Sequence, residues 1–400
     1  MNYTIPSYKI LPFDNNEPSF SIEFWQKSKD AYENKEYKTS IFYLLKYINK
    51  DAFKRVKFKK KDIKVTLEHG LFDFDLTLNN NFFKLESKVL KIDVEDKNSI
   101  LALRKVIEAN FNEYDIIQMN IKSNYLYIEY LEKLPLCNPE KLFEVINEFI
   151  TITDRLVSLL HFEYSFELTK KLEDTLDIDD KKLIVDTMDK YINEYYIISD
   201  EFKDEQLENY KWDIGVITLM KISNLPHLNG LLKFKIYDAI SYMYSDNSLD
   251  SKINRSAQMI NDLKNIDRDY LITNIYKSKI FLSLYRAEIK EDIIEFFKSD
   301  DDIVQRYHRN KNNLGLFYFL YMKYIRLLYL YNINTKDKKR IEKELKSLSK
   351  YSLEKGANRL YKLYNSIINN LFFNKKDASY SSWYWIILLI VLILINLSKG

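Results

Sequence analysis

Asp73 and Asp75 alternate with apolar residues in the run Phe72-Asp73-Phe74-Asp75-Leu76-Thr77-Leu78. A strand there puts both carboxylates on one face. Two acids so placed can pair as acid and base or bind a cation; the plainer reading is a solvated strand face. The triplet Asp300-Asp301-Asp302 reads as a helix cap facing water. The four histidines, at 69, 161, 227 and 308, include no pair at metal-ligand spacing, and HExxH is absent. The single cysteine, Cys137, is a candidate thiolate nucleophile, but it stands between Pro135 and Pro139 with no histidine near it in sequence; a buried or loop cysteine is the plainer reading. Phosphate cradles need closely spaced glycines. The closest pair among the six is Gly215 and Gly230, so there is neither a GxGxxG nor a Walker A loop, and GxSxG is also absent. The sequence therefore implies no cofactor, no metal and no catalytic residue.

The densest charge lies between Lys54 and Lys64, in Lys54-Arg55-Val56-Lys57-Phe58-Lys59-Lys60-Lys61-Asp62-Ile63-Lys64. One reading is a solvated linker. The sharper one is contact of Lys57, Lys59, Lys60 and Lys61 with anionic lipid headgroups, each lysine adding on the order of 1 kcal/mol near such a surface. Nucleic acid fits less well: Phe58 is the only interleaved aromatic and no recognition module accompanies the run.

A lipid surface is also suggested at the other end. Trp383-Tyr384-Trp385-Ile386-Ile387-Leu388-Leu389-Ile390-Val391-Leu392-Ile393-Leu394-Ile395 is apolar without a break. With no polar face it does not read as an interfacial amphipathic helix. Taken as helix to Leu397 it spans about 22 Å, against roughly 30 Å of hydrocarbon, so Tyr380, Ser381 and Ser382 must enter the boundary or the bilayer must thin. Trp383, Tyr384 and Trp385 suit the headgroup level, and Lys375 and Lys376 favour a cytoplasmic upstream side. The alternative is a buried C-terminal core helix. The apolar stretch Leu314 to Tyr331 is not read as a span, because Lys323 and Arg326 sit in its middle.

These features have to be carried by folded elements. The chain has 400 residues, 46% hydrophobic and 30% charged, with net charge +3. That is room for two or three domains with real cores and no global charge pointing to nucleic acid. One cysteine excludes an intramolecular disulfide and fits a reducing compartment. The N-terminus lacks the apolar core of a secretory signal.

Residues 1–18, with Pro6, Pro12 and Pro18, read as an extended arm. Residues 19–168 read as an α+β domain in the order helix, three strands, helix, two strands, helix, built on an antiparallel sheet. Helical spacing at Phe24, Ala31, Tyr32, Ile41, Leu44, Leu45 and Ile48 predicts one or two helices broken near Asn34. Strands are expected over Ile63–Glu68, Phe72–Leu78, Phe83–Ile92, Asp115–Ile121 and Tyr125–Tyr130, with turns at Gly70, Asn79-Asn80-Asn81 and Lys122-Ser123-Asn124. Val106, Ile107, Phe143, Ile146 and Ile150 offer apolar stripes to cover the sheet. Asn138-Pro139-Glu140 is a helix start. Residues 169–373 read as all-α hairpins, with helices near 180–198, 203–223, 226–244, 248–264, 268–286, 289–299, 312–331, 336–348 and 353–373. A linker, 374–382, and a transmembrane helix, 383–398, complete the order.

The order of elements in residues 20–165 resembles the YbjN family, whose fold is shared by class I type III secretion chaperones. The segments carrying the resemblance are the Gly70 turn into FDFDLTL, the helix SILALRKVIEANFNEYD, the hairpin IIQMNIKSNYLYIEY and the helix NPEKLFEVINEFITITDRL. The resemblance implies a regulatory or chaperone-like domain that binds extended client segments or dimerises, in a bacterial cell. The expectation is a non-catalytic protein-binding module on a single-pass membrane anchor, with its bulk cytoplasmic at a bacterial inner membrane. An enzyme using carboxylates of the α+β or helical domain is the alternative.

Overall fold

The computed structural model describes residues 3–12, 20–51, 62–92, 97–112, 117–170, 176–202, 207–277, 282, 286–287 and 289–373. The proposed lipid-contact lysines at 57, 59, 60 and 61 and the whole apolar run 383–395 lie outside them.

Two helices open the α+β domain, α1 (Glu23–Glu33) and α2 (Tyr37–Ile48). They break where the sequence predicts, with Lys35 at φ +61° just past Asn34. Strands β1 (Ile63–His69), β2 (Phe72–Leu78) and β3 (Phe82–Lys91) follow, then α3 (Lys97–Asn112), β4 (Gln118–Lys122), β5 (Tyr125–Lys133), a short 3-10 turn and α4 (Pro139–Tyr164). The sheet is antiparallel in the order β1-β2-β3-β5-β4. Its turns follow local chemistry. Gly70 at φ +59° opens the two-residue loop between His69 and Phe72, a position in a primed hairpin turn that favours glycine. Asn79 Oδ1 accepts from the amides of Asn81 and Phe82, holding the next turn. Ser123 and Asn124 both take positive φ between β4 and β5, as a type I′ turn demands.

Phe72, Phe74, Leu76 and Leu78 are all buried on one face of β2. A bulge at Lys88–Leu90 shifts the register of β3, and Val89 and Leu90 are therefore buried side by side. Helix α4 covers the sheet with Ile146, Phe149 and Ile150. Its start is as expected: Asn138 Oδ1 accepts from the Lys141 amide and Pro139 occupies the first turn. Ile107 corrects the predicted covering stripe. Val106 is buried, but Ile107, the next residue round the helix, is 55% exposed, since neighbours on a helix point about 100° apart. A further correction is β6 (Glu167–Leu168), which pairs with Leu90 and Lys91 of β3 and makes the sheet six-stranded.

The remaining elements are helical: α5 (Ile178–Glu201), α6 (Asn209–Ser223), α7 (Gly230–Met243), α8 (Leu249–Asn265), α9 (Arg268–Thr273), α10 (Lys290–Lys298), α11 (Asp301–Arg309), α12 (Asn313–Leu330), α13 (Thr335–Leu348) and α14 (Leu353–Ile368). Two expectations fail here. The helix expected over 268–286 stops at Thr273, because Asn274 turns inward: its amide group reaches Tyr270 O and its Oδ1 accepts from the Leu232 amide. The chain then pairs Tyr276 N with His227 O. Helix α11 was missed, although the acidic triplet expected to cap a helix begins it.

Helices α6 and α12 are buried nearly all round and form the centre of this region. Lys323 of α12 is buried and ion-paired with Asp300. Among the described residues no helix is long and apolar enough to cross a membrane. The helical core spans Ile184 to Phe372, while the α+β core also takes in Tyr276, Leu282 and Ala287. Tyr47 Oη accepts from the Ala287 amide at 3.0 Å, joining α2 to the chain just before α10.

Candidate functional site: a groove that holds an extended segment

Helix α5 begins at Asp177, whose carboxylate accepts from the Asp179 amide, and Asp179 and Asp180 reinforce its first turn. Its buried stripe runs through Ile184, Met188, Tyr191, Tyr195 and Ile198. Tyr191 therefore faces inward, and Glu194 and Glu201 follow it at spacings of three and ten residues, close to that face. Carboxylates so close to an apolar stripe need donors. Residues 3–12 supply them.

Thr4 donates both its amide, at 2.8 Å, and its hydroxyl, at 2.5 Å, to the Glu201 carboxylate. Ser7 repeats the arrangement on Glu194, with its amide at 3.0 Å from Oε2 and its hydroxyl bonded to Oε1. The Lys9 amide donates to Tyr191 Oη at 2.9 Å. The arm thus runs antiparallel to α5. The spacings match: two helical turns between the glutamates cover about 10.5 Å, and three residues of extended chain cover about 10 Å.

The other wall is made by α12, α13 and α14. Tyr318 Oη donates to Thr4 O at 3.1 Å and Tyr321 Oη to Ser7 O at 3.3 Å. Tyr8 Oη donates to Glu342 of α13 at 3.2 Å. Gly356 of α14 lets the helix approach closely: a Cβ there would stand 2.9 Å from the Phe317 ring and 3.5 Å from Ile5. Pro6 is buried and has no amide hydrogen to leave unpaired. Tyr3, Ile5, Tyr8 and Leu11 all pack against the helical core, while Ile10 is 43% exposed.

Glu194 also meets a buried cation. Lys221 of α6 is 3% exposed, 3.4 Å from Glu194 Oε2 and 3.9 Å from the centre of the Tyr191 ring. Burial pulls its pKa down to about 8, against the opposing pull of the Glu194 charge. Lys190 adds a second contact to Glu194 at 3.7 Å. Burial pushes the Tyr8 phenol well up, and the Glu342 charge pushes it further; it stays a donor at any ordinary pH.

The other sequence candidates are dispersed. Asp73 pairs with Lys170 at 2.6 Å, and Asp75 with Lys64 at 2.8 Å and with the Thr66 hydroxyl. The two acids lie on one strand face, each with its own lysine, and form no joint centre. Cys137 is buried and its thiol is pushed up to about 12 by that burial, which leaves almost no thiolate at neutral pH. His69 is buried and held neutral, its pKa pulled down to about 3 by burial and then by Lys170. His161 bonds Phe166 O, and His308 stacks on Tyr361 at 3.8 Å. Among the described residues no group of His, Cys, Asp or Glu could hold a metal ion.

The groove was missed from sequence. The arm was expected to be extended, but nothing pointed to where it goes. The available signal was chemical: Thr4 and Ser7 flanking Pro6 at one end, and two glutamates seven residues apart beside an apolar stripe at the other. Compared with family models, curated proteins and solved structures, the chain finds no match.

Proposed function

We propose that this chain is a non-catalytic protein-binding module held at a membrane by residues 383–395, with its folded bulk facing the cytosol. The observation that carries the reading is the seating of residues 3–12 on the helical domain. Glu194, Glu201, Tyr191, Tyr318 and Tyr321 bind mainly groups that every extended polypeptide presents, its amides and carbonyls. A surface that holds one such segment by its backbone is suited to holding segments of other proteins. The resemblance of residues 20–165 to the YbjN family supports a regulatory or chaperone-like role for the whole. The tether rests on the unbroken apolar run and its aromatic flank.

Amide hydrogen exchange on the full chain in detergent micelles tests the groove. The amides of Thr4, Ser7 and Lys9 should be protected, and Glu194→Gln combined with Glu201→Gln should remove most of that protection. Exchange in the wild type at the rate of a free peptide would sink the reading.

A further inference from the structure

We propose that the groove selects extended segments carrying two hydroxyl residues three apart around a proline, and that residues 3–12 are a tethered competitor displaced by such a segment of a partner protein. The inference rests on the groove being a peptide site. The selection follows from the two forks. Each glutamate accepts the amide and the side-chain hydroxyl of one residue. Serine and threonine alone carry a hydroxyl on Cβ, close enough to their own amide to share one carboxylate with it. An acidic or phosphorylated residue at either place would set like charges against each other. The proline fills the buried position between them, where an amide hydrogen would otherwise need a partner.

Two features mark the occupant as exchangeable. The arm is held by side chains and has no sheet pairing of its own, and of its ten described residues only Pro6 and Ser7 are fully buried. Glu194 also keeps Lys221 and Lys190 when the arm leaves, so release does not strand that carboxylate without a cation. The competitor's advantage is its tether, which gives an effective concentration on the order of millimolar. A segment from a partner succeeds only by binding more tightly or by being presented at similar density, as a membrane surface would arrange.

The probe is a fluorescein-labelled peptide of residues 3–12, and its binding is read by anisotropy to the full chain in detergent micelles. The receptors are the wild type, a chain with Thr4→Asp and Ser7→Asp, and the milder pair Thr4→Val and Ser7→Ala, each checked by thermal melting. Both altered arms should let the probe bind, the acidic pair more strongly, with the wild type weaker by about tenfold to a hundredfold, as tethered competition predicts. Adding Glu194→Gln and Glu201→Gln to the acidic pair should weaken the probe at least about tenfold, and a probe phosphorylated at Ser7 should not bind. Equal binding to wild type and altered arms would overturn the competitor while leaving the groove standing. Failure of the probe to bind any folded receptor would overturn both. A wild type that elutes as a dimer, and becomes a monomer on either arm change, would make a second copy the occupant and overturn the partner segment.

Discussion

Lys221 and Ser7 meet on one carboxylate: Glu194 Oε2 lies 3.4 Å from the buried Lys221 ammonium and 3.0 Å from the Ser7 amide, while Oε1 accepts from the Ser7 hydroxyl. The lysine's pKa falls from 10.5 in a free side chain to about 8. Between these values the unfolded chain holds a proton that the folded one has released. Stability should therefore rise with pH from about 8 to about 10, by up to roughly 1.4 kcal/mol per unit. Below pH 8 both states are protonated and the slope vanishes. Lys221→Met should lack the rise, and urea melts of both chains at pH 7, 8.5 and 9.5 would show it. Parallel pH profiles would mean that Lys221 stays charged in the fold.

Phe74 is 1% exposed and packs on Phe149 with ring centres 5.9 Å apart, whereas its neighbour Asp73 points to the opposite face and meets Lys170. Phe74→Asp should cost several kcal/mol, a large part of a domain's roughly 5–15 kcal/mol. Asp73→Asn removes a half-exposed ion pair and should cost about 1 kcal/mol or less. Thermal melts decide this, and comparable small losses from both would mean the face assignment is wrong.

Deleting residues 383–400 should move the protein from the membrane to the soluble fraction without changing its melting profile. If the shortened chain still pelleted with carbonate-washed membranes, the tether would have to lie elsewhere.

Changing Lys59, Lys60 and Lys61 to Glu in a chain lacking residues 383–400 should weaken its binding to vesicles containing phosphatidylserine, most clearly at low salt. Equal flotation of the two forms at low salt would leave only a linker in that run.

The sheet was legible because its code is local. Period two in β2, glycine or asparagine at the turns and the Asn138-Pro139 start each act within a few residues. What escaped depends on distant partners. The end of α9 is decided by Asn274 reaching Leu232, and β6 exists only because β3 offers an edge beyond the end of β2. For the candidate site the gap was widest. Thr4 and Glu201 are 197 residues apart, and no short-range pattern links a hydroxyl in an irregular arm to a carboxylate on a helix.

The seating of residues 3–12 also alters how the chain is partitioned. The arm is, in contacts, the first piece of the helical body, and the α+β domain is inserted between that piece and α5. A body interrupted in this way cannot be finished in the order of synthesis. Residues 3–12 are made first, but Tyr318, Tyr321 and Glu342 follow more than three hundred residues later, so throughout translation the arm has no complete seat. Seating the arm closes a loop of more than three hundred residues, and because the entropic cost of closure grows only with the logarithm of loop length, that distance costs little more than a loop half as long.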